Sequence, residues 1–276
     1  MVFKRGDKHE LIKEIQTKLG VDPVGNFGPK TEEAVKAWQT KNGLPADGVV
    51  GPATLAKMGI KVPAAATPAP KAAAPAKPSA APKYTKEKIE GAVKAKSYKW
   101  FEDKDMHLNI VGVRNSDTGK KVTNAFDDRI TLSWKENGQW MYKEWMNTTD
   151  PGTKGVKEYH NAAGVARLVP GQYADSHGLG KHQGKYEALK QFGKVKVYRD
   201  ADRDMTYSED KIQEGVFGIN IHKAGADSTF VENWSEGCQV FKRAADFEEF
   251  MAIVRKSAAA GFTKFTYTLI ESKDIA

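Results

Sequence analysis

Gly25-Asn26-Phe27-Gly28-Pro29-Lys30-Thr31 returns 23 residues further on as Gly48-Val49-Val50-Gly51-Pro52-Ala53-Thr54. Each copy reads Gly-x-x-Gly-Pro-x-Thr. The glycines permit a tight loop, and the proline suits the first turn of a helix, where its missing N–H costs nothing. Behind the first copy, Ala34, Val35, Ala37 and Trp38 recur at helical spacing over Thr31–Gly43, with Glu32, Glu33, Lys36 and Lys41 facing out. Ahead of it, Leu11, Ile12, Ile15 and Leu19 make one stripe over about His9–Leu19. A third short helix follows the second copy. Residues 1–62 therefore read as a small all-α module of three helices, built on an internal repeat.

Residues 63–83 mark the boundary. Ten of these residues are Ala, six are Pro and three are Lys. Such a segment has nothing to bury and its prolines block a helix, so it reads as an extended, semi-rigid linker. Residues 84–276 form the second domain. Strands are expected at Leu108–Arg114, Arg129–Trp134, Trp140–Trp145, Val195–Tyr198, Val216–Ile221 and Phe265–Ile270, where Val, Ile, Tyr, Phe and Trp alternate with polar residues. Phe247, Phe250, Met251 and Val254 predict a helix over Ala244–Ala260, and Lys86–Lys96 predicts another. The expected fold is multidomain, a helical module joined to a mainly β, α+β domain.

The net charge of +8 is spread along the chain, with no dense basic stripe of the kind nucleic-acid binding needs. No apolar run approaches a membrane span, so no membrane insertion is expected. The first residues, Met1 to Lys8, carry no apolar core or cleavage site of a signal peptide. Synthesis in the cytoplasm is the expectation, and a monomer with no cofactor and no metal.

The single cysteine, Cys238, excludes an internal disulfide and a multi-Cys zinc cage. It lies in Trp234-Ser235-Glu236-Gly237-Cys238-Gln239, and it follows His222 of Phe217-Gly218-Ile219-Asn220-Ile221-His222 by 16 residues. A cysteine nucleophile needs a base to take its proton and N–H donors for the oxyanion, and a glycine before it frees the backbone to present them. His177 and His182 flank a Gly-rich stretch, but no His-Glu-x-x-His helix accompanies them.

Two resemblances follow from these motifs. Ile15-Gln16-x-x-Leu19, the two Gly-Pro loops, Ala34-Val35-x-x-Trp38-Gln39 and Gly43-Leu44 together resemble the small three-helix peptidoglycan-binding module over nearly all of residues 5–58. That resemblance implies binding of wall glycan or stem peptide in a shallow groove between the repeats, with bacterial peptidoglycan as partner. Residues 105–270 resemble the L,D-transpeptidase catalytic family, which places a histidine at a strand end and then a Ser/Thr-His-Gly-Cys turn. Ser235, Gly237 and Cys238 match, and Thr149-Asp150-Pro151-Gly152 resembles the family's Thr-Pro-x-Gly stretch. Glu236 replaces the motif histidine, and Val240 stands where an arginine is common, with Arg243 close by as a substitute.

The resemblance implies Cys238 as nucleophile, His222 as base, the N–H groups of Gly237 and Cys238 as oxyanion donors, and Ser235 as shaper of the turn. Trp234, Glu236, Arg243 and His177 are the expected substrate contacts. The function implied is cleavage, or exchange, of an amide in cell-wall stem peptides, with hydrolysis favoured. A phage-type endolysin acting at the cell wall fits a wall-binding module without an export signal. The alternatives are a crosslinking L,D-transpeptidase, a zinc amidase or peptidase using His160, His177, His182 or His222, and a non-catalytic wall-binding structural protein.

Overall fold

The computed structural model describes residues 3–44, 46–60, 81–118, 121–158, 163–207 and 211–275. The chain divides into two compact units, Met1–Ala74 and Pro75–Ala276. Most of the expected linker lies outside the described residues. Its last residue belongs to the second unit, because the N–H groups of Lys83 and Tyr84 both donate to the Glu144 carboxylate, at 2.8 and 3.0 Å.

The first unit holds α1 (Glu10–Leu19), α2 (Pro29–Lys41) and α3 (Pro52–Met58). His9 caps α1 by accepting from the Leu11 N–H, and Gly20 ends it in the left-handed region. Ile12, Ile15, Phe27, Val35, Val50 and Leu55 make the core. Ala37, expected on the buried stripe, is exposed, and Gln39 takes its place inside. That exchange has a reason. Gln39 accepts from the Gly48 N–H through Oε1 and donates through Nε2 to Asp47 and to the Val49 carbonyl. Gln16 does the same one repeat earlier. It accepts from the Gly25 N–H at 2.8 Å and donates to the Asn26 carbonyl and to Thr31 Oγ1, both at 2.9 Å. Each buried glutamine thus pairs with main-chain groups of one Gly-Pro loop, beside the isolated bridges Lys8–Asn26 and Phe3–Val50.

In the second unit eight strands close into a barrel in the order β1 (Asn109–Arg114), β11 (Lys264–Glu271), β5 (Gly171–His182), β6 (Tyr186–Gln191), β9 (Ile221–Lys223), β10 (Gln239–Phe241), β3 (Gln139–Thr148) and β2 (Asp128–Glu136). The pairs β1–β11 and β9–β10 are parallel and the rest antiparallel. A separate sheet runs β4 (Val165–Leu168), β7 (Val195–Asp200) and β8 (Ile212–Gly215). α4 (Lys86–Ala95) packs Ile89 and Val93 on Val111, Val113 and Ile270, and α5 (Thr153–Glu158) is a single short helix. α6 (Ala244–Ala259) buries Phe247, Phe250, Met251 and Val254 at the expected spacing, against Phe241, Ile221 and Trp145.

The strand expected over Val216–Ile221 is not formed as such. Gly218 takes φ +78 and interrupts the extended run, and the strand starts only at Ile221. The side chain of Gln191 replaces the missing ladder. Its Oε1 accepts from the N–H groups of Phe217 and Ile219. The short run of three residues around His222 is therefore held from both sides, by β6 and by β10.

The loop-binding glutamines predict a local effect. Gln16→Leu keeps the shape but leaves the Gly25 N–H and its neighbours unpaired, at a cost of about 2–4 kcal/mol. Hydrogen exchange of α1 and α2 in the full chain should quicken accordingly, with exchange in the barrel unchanged.

Candidate active site

The site sits on the outer face of β9 and β10. Val240 pairs with His222, and the Gln239 N–H donates to the Asn220 carbonyl at 2.9 Å. Cys238, one step ahead of β10, is therefore level with Asn220 and shares a face with Val240 and His222. It packs with Val240, Val231, Phe126 and Ala224. Residues in this diagonal relation on adjacent strands have Cβ atoms roughly 7 Å apart, within the combined reach of an imidazole and a thiol.

The turn ahead of Cys238 is fixed by the backbone. Gly237 has φ +119, and a Cβ there would stand 2.5 Å from the Ala166 carbonyl oxygen on β4. Ser235, fully buried, donates through Oγ to the Cys238 carbonyl at 2.8 Å and accepts the Gly237 N–H at 3.2 Å. This corrects one expectation: the Gly237 N–H is spent inside the turn and is not free for an oxyanion. The Cys238 N–H has no acceptor among the described residues, so it is the donor the turn presents.

The Thr149–Gly152 stretch holds the turn from behind. The Gly152 N–H donates to the Ser235 carbonyl at 2.9 Å, and a Cβ on Gly152 would fall 1.9 Å from the Glu232 carbonyl oxygen. Asp150 anchors the stretch in the core. Arg167 of β4 meets it through Nε at 2.7 Å and Nη2 at 3.1 Å, and Arg114 of β1 through Nε at 3.0 Å. Arg114 also donates to the carbonyls of Leu168 and Thr149.

His222 is buried, and its two nitrogens are distinguishable. Nδ1 lies 3.0 Å from the Lys223 carbonyl, which can only accept, so Nδ1 carries the proton. Nε2 is then an unprotonated acceptor, and it is buried with no partner among the described residues. Tyr186, from β6, places its hydroxyl 3.2 Å from both Nδ1 and that carbonyl. Burial holds the His222 pKa down to about 3, with His182 adding to the effect and the Lys223 carbonyl opposing it. Burial pushes the Cys238 thiol up to about 11, the Asn220 backbone N–H works the other way, and the Glu236 carboxylate pushes it further up. The resting pair is therefore a neutral imidazole and a neutral thiol, whose S–H points to the Gly218 carbonyl at 3.3 Å.

A cleft of about 380 Å³ opens on this face, lined by His182, Gln183, Lys185, Tyr186, His222, Asn233 and Trp234. Of the expected substrate contacts, Trp234 lines it and is 43% exposed. Glu236 is exposed beside the turn. Arg243 instead sits at the start of α6, 3.6 Å from Asp246, and does not line the cleft. His177 also departs from expectation. It is buried with Nε2 2.8 Å from the Ile219 carbonyl and Nδ1 2.9 Å from Ser176 Oγ, so it braces the segment before His222 and does not line this cleft. The Gly-rich run His177–His182 is strand β5, with no helix to present a metal pair. Among the described residues, the acidic set Asp200, Asp202 and Asp204 is the one group that brings three metal-ligand atoms together, and it contains no histidine. His160 lies outside the described residues.

Sequence reasoning missed Asn220, Tyr186 and Asn233. Asn220 had a signal: it stands two residues before His222, on the same face of an extended chain.

The chain thus joins a helical module with paired Gly-Pro loops to a closed β-barrel with Cys238 and His222 on one face. Residues 8–58 match the family model described as a putative peptidoglycan binding domain, so the first unit is a peptidoglycan-binding module. An uncharacterized protein in the bpoA1 3′ region of Kitasatospora aureofaciens is 38% identical over 74 residues, which cover 24% of this chain and 63% of that one. The match thus spans less than two thirds of that relative's length. A solved structure, a fused Zn-dependent amidase/peptidase/peptidoglycan-binding domain-containing protein from Clostridium acetobutylicum, aligns over 98% of this chain and 99% of its own. Its identity is 16% and its TM-score 0.25.

The raised thiol predicts how Cys238 reacts. A thiolate scarce at neutrality means that alkylation by iodoacetamide climbs about tenfold per pH unit from pH 7 towards 10. A plateau reached below pH 7 would instead indicate a preformed thiolate–imidazolium pair. Because Cys238 is the only cysteine, mass spectrometry of the intact chain reads the rate directly.

Proposed function

We propose that the second domain is a cysteine-dependent acyl-transfer enzyme acting on an amide of cell-wall stem peptides, and that hydrolysis is its main outcome. The observation that carries this reading is the Nε2 of His222, buried without a partner among the described residues, on the same face as the one cysteine and next to an open cleft. The peptidoglycan-binding module supplies the substrate class: it tethers the domain to the wall and raises the local concentration of stem peptide. An endolysin-like role suits that arrangement.

The chemistry runs from the neutral pair. Cys238 turns its S–H from the Gly218 carbonyl towards His222, and Nε2 takes the proton as Sγ bonds to the amide carbon. The carbonyl π electrons move to oxygen, where the Cys238 N–H donates to the negative charge. The C–N bond then breaks, and the proton on Nε2 passes to the departing amine. The thioester left on Cys238 meets water. His222 takes a water proton as the oxygen attacks, the carboxylic acid leaves, and the proton returns to sulfur. An amine in place of water gives exchange or crosslinking by the same steps. Apolar Val240 and the exposed Glu236 replace residues that the L,D-transpeptidase pattern would put beside the substrate, which alters substrate choice without touching these steps.

Two substitutions test the reading on purified sacculi, with released fragments read by mass spectrometry. Cys238→Ala should abolish fragment release, by at least about 1000-fold, while sedimentation with sacculi persists. His222→Gln should be nearly as severe. Undiminished release by Cys238→Ala would sink the cysteine mechanism.

A further inference from the structure

A second imidazole lies against the first. His182, the last residue of β5, stacks on His222 with ring centroids 3.9 Å apart and planes inclined by 19°. The hairpin places it there. Gln183 and Gly184 both take positive φ, and the Lys185 N–H closes the turn on the His182 carbonyl at 2.9 Å, so His182 and Tyr186 pair across the strands. The two side chains then grip His222 together, one on its face and one at Nδ1.

The His182 ring is itself locked. The Gln191 backbone N–H donates to Asn220 Oδ1 at 2.9 Å, which fixes the orientation of that amide. Asn220 Nδ2 must then face His182, and it donates to Nδ1 at 3.2 Å. Nδ1 is therefore the acceptor and the proton sits on Nε2. The Asn220 backbone N–H also offsets part of the rise that burial imposes on the Cys238 thiol.

We propose that His182 is a positioning residue for His222: its locked, stacked ring shields the imidazole from water and keeps it neutral on the face that it shares with Cys238. This rests on the cysteine reading for its use, though the geometry is independent of it. The groups facing His222 are Tyr186 from β6, His182 from β5, Cys238 ahead of β10 and, on its own strand, Lys223, whose ammonium is paired with Glu248 of α6 at 2.8 Å. None of them offers a carboxylate to the His222 ring. A ring with no anion beside it stays neutral only while water is kept off, and His182 covers one whole face.

The test is an NMR titration of the His222 ring in the full chain, for the wild type, His182→Ala and His182→Phe. Removing the stacked ring admits water, so His182→Ala should raise the His222 pKa by about one unit or more. His182→Phe keeps the stack and should leave the value within about half a unit of the wild type. If sacculus turnover is measurable, the acid limb of kcat/KM should follow the same order. An unchanged titration in His182→Ala would overturn the proposal, and so would an equal shift in both variants. Failure of the cysteine reading looks different: Cys238→Ala would keep its activity while the titrations still follow this order.

Discussion

Everything at the Cys238 turn depends on a buried ion cluster. Asp150 sits between Arg114 of the barrel and Arg167 of the small sheet, all three nearly sealed from water. Burying such charges is costly unless each lone pair and N–H is matched. Here the matching is dense, because Arg114 also serves two main-chain carbonyls and Arg167 holds Asp150 with two nitrogens. The cluster therefore specifies geometry: it docks β4 against the barrel, and the Ala166 carbonyl on β4 leaves room for no side chain at position 237. The turn that presents the Cys238 N–H follows from that contact.

The same interior logic governs the base. Among the described residues, no carboxylate stands behind His222. A backbone carbonyl fixes its tautomer and two aromatic rings exclude water, so the ring is a neutral acceptor. The thiol is neutral as well, since the environment that empties His222 of charge also disfavours the thiolate. A site of this kind stores no ion pair at rest. In the proposed reaction, proton transfer would coincide with attack on the carbonyl, and the Cys238 N–H would meet the developing charge.

The sequence made much of this legible. The repeated Gly-x-x-Gly-Pro-x-Thr loops, the three-helix periodicity, the α6 stripe and the strands β1, β2, β3, β7 and β11 could be read from spacing, because each rests on local backbone chemistry or on a simple period, whereas β4, β5, β6, β8 and β10 were not foreseen. Gln39 was hidden because a glutamine on a helix normally faces solvent, and only its bonds to the Gly48 N–H and the Val49 carbonyl draw it inside. The run Val216–Ile221 misled because its apolar composition suits a strand, while Gly218 and the Gln191 side chain impose another path. His177 drew attention as one of two histidines flanking a Gly-rich stretch, yet burial makes it a brace.

What the sequence by itself determined is the composition of the machine: one helical wall-binding module, one mainly β domain, one cysteine, and a histidine 16 residues before it. Those are properties of chemistry and local spacing. Only the tertiary structure decided which atoms meet. It aligned β9 with β10 so that Cys238 and His222 share a face. It spent the Gly237 N–H on Ser235 and left that of Cys238 without an acceptor among the described residues, and it brought His182 from the end of β5, two strands away, onto His222. These relations join strands distant in the chain, and register and closure of the barrel set them, which no local pattern encodes.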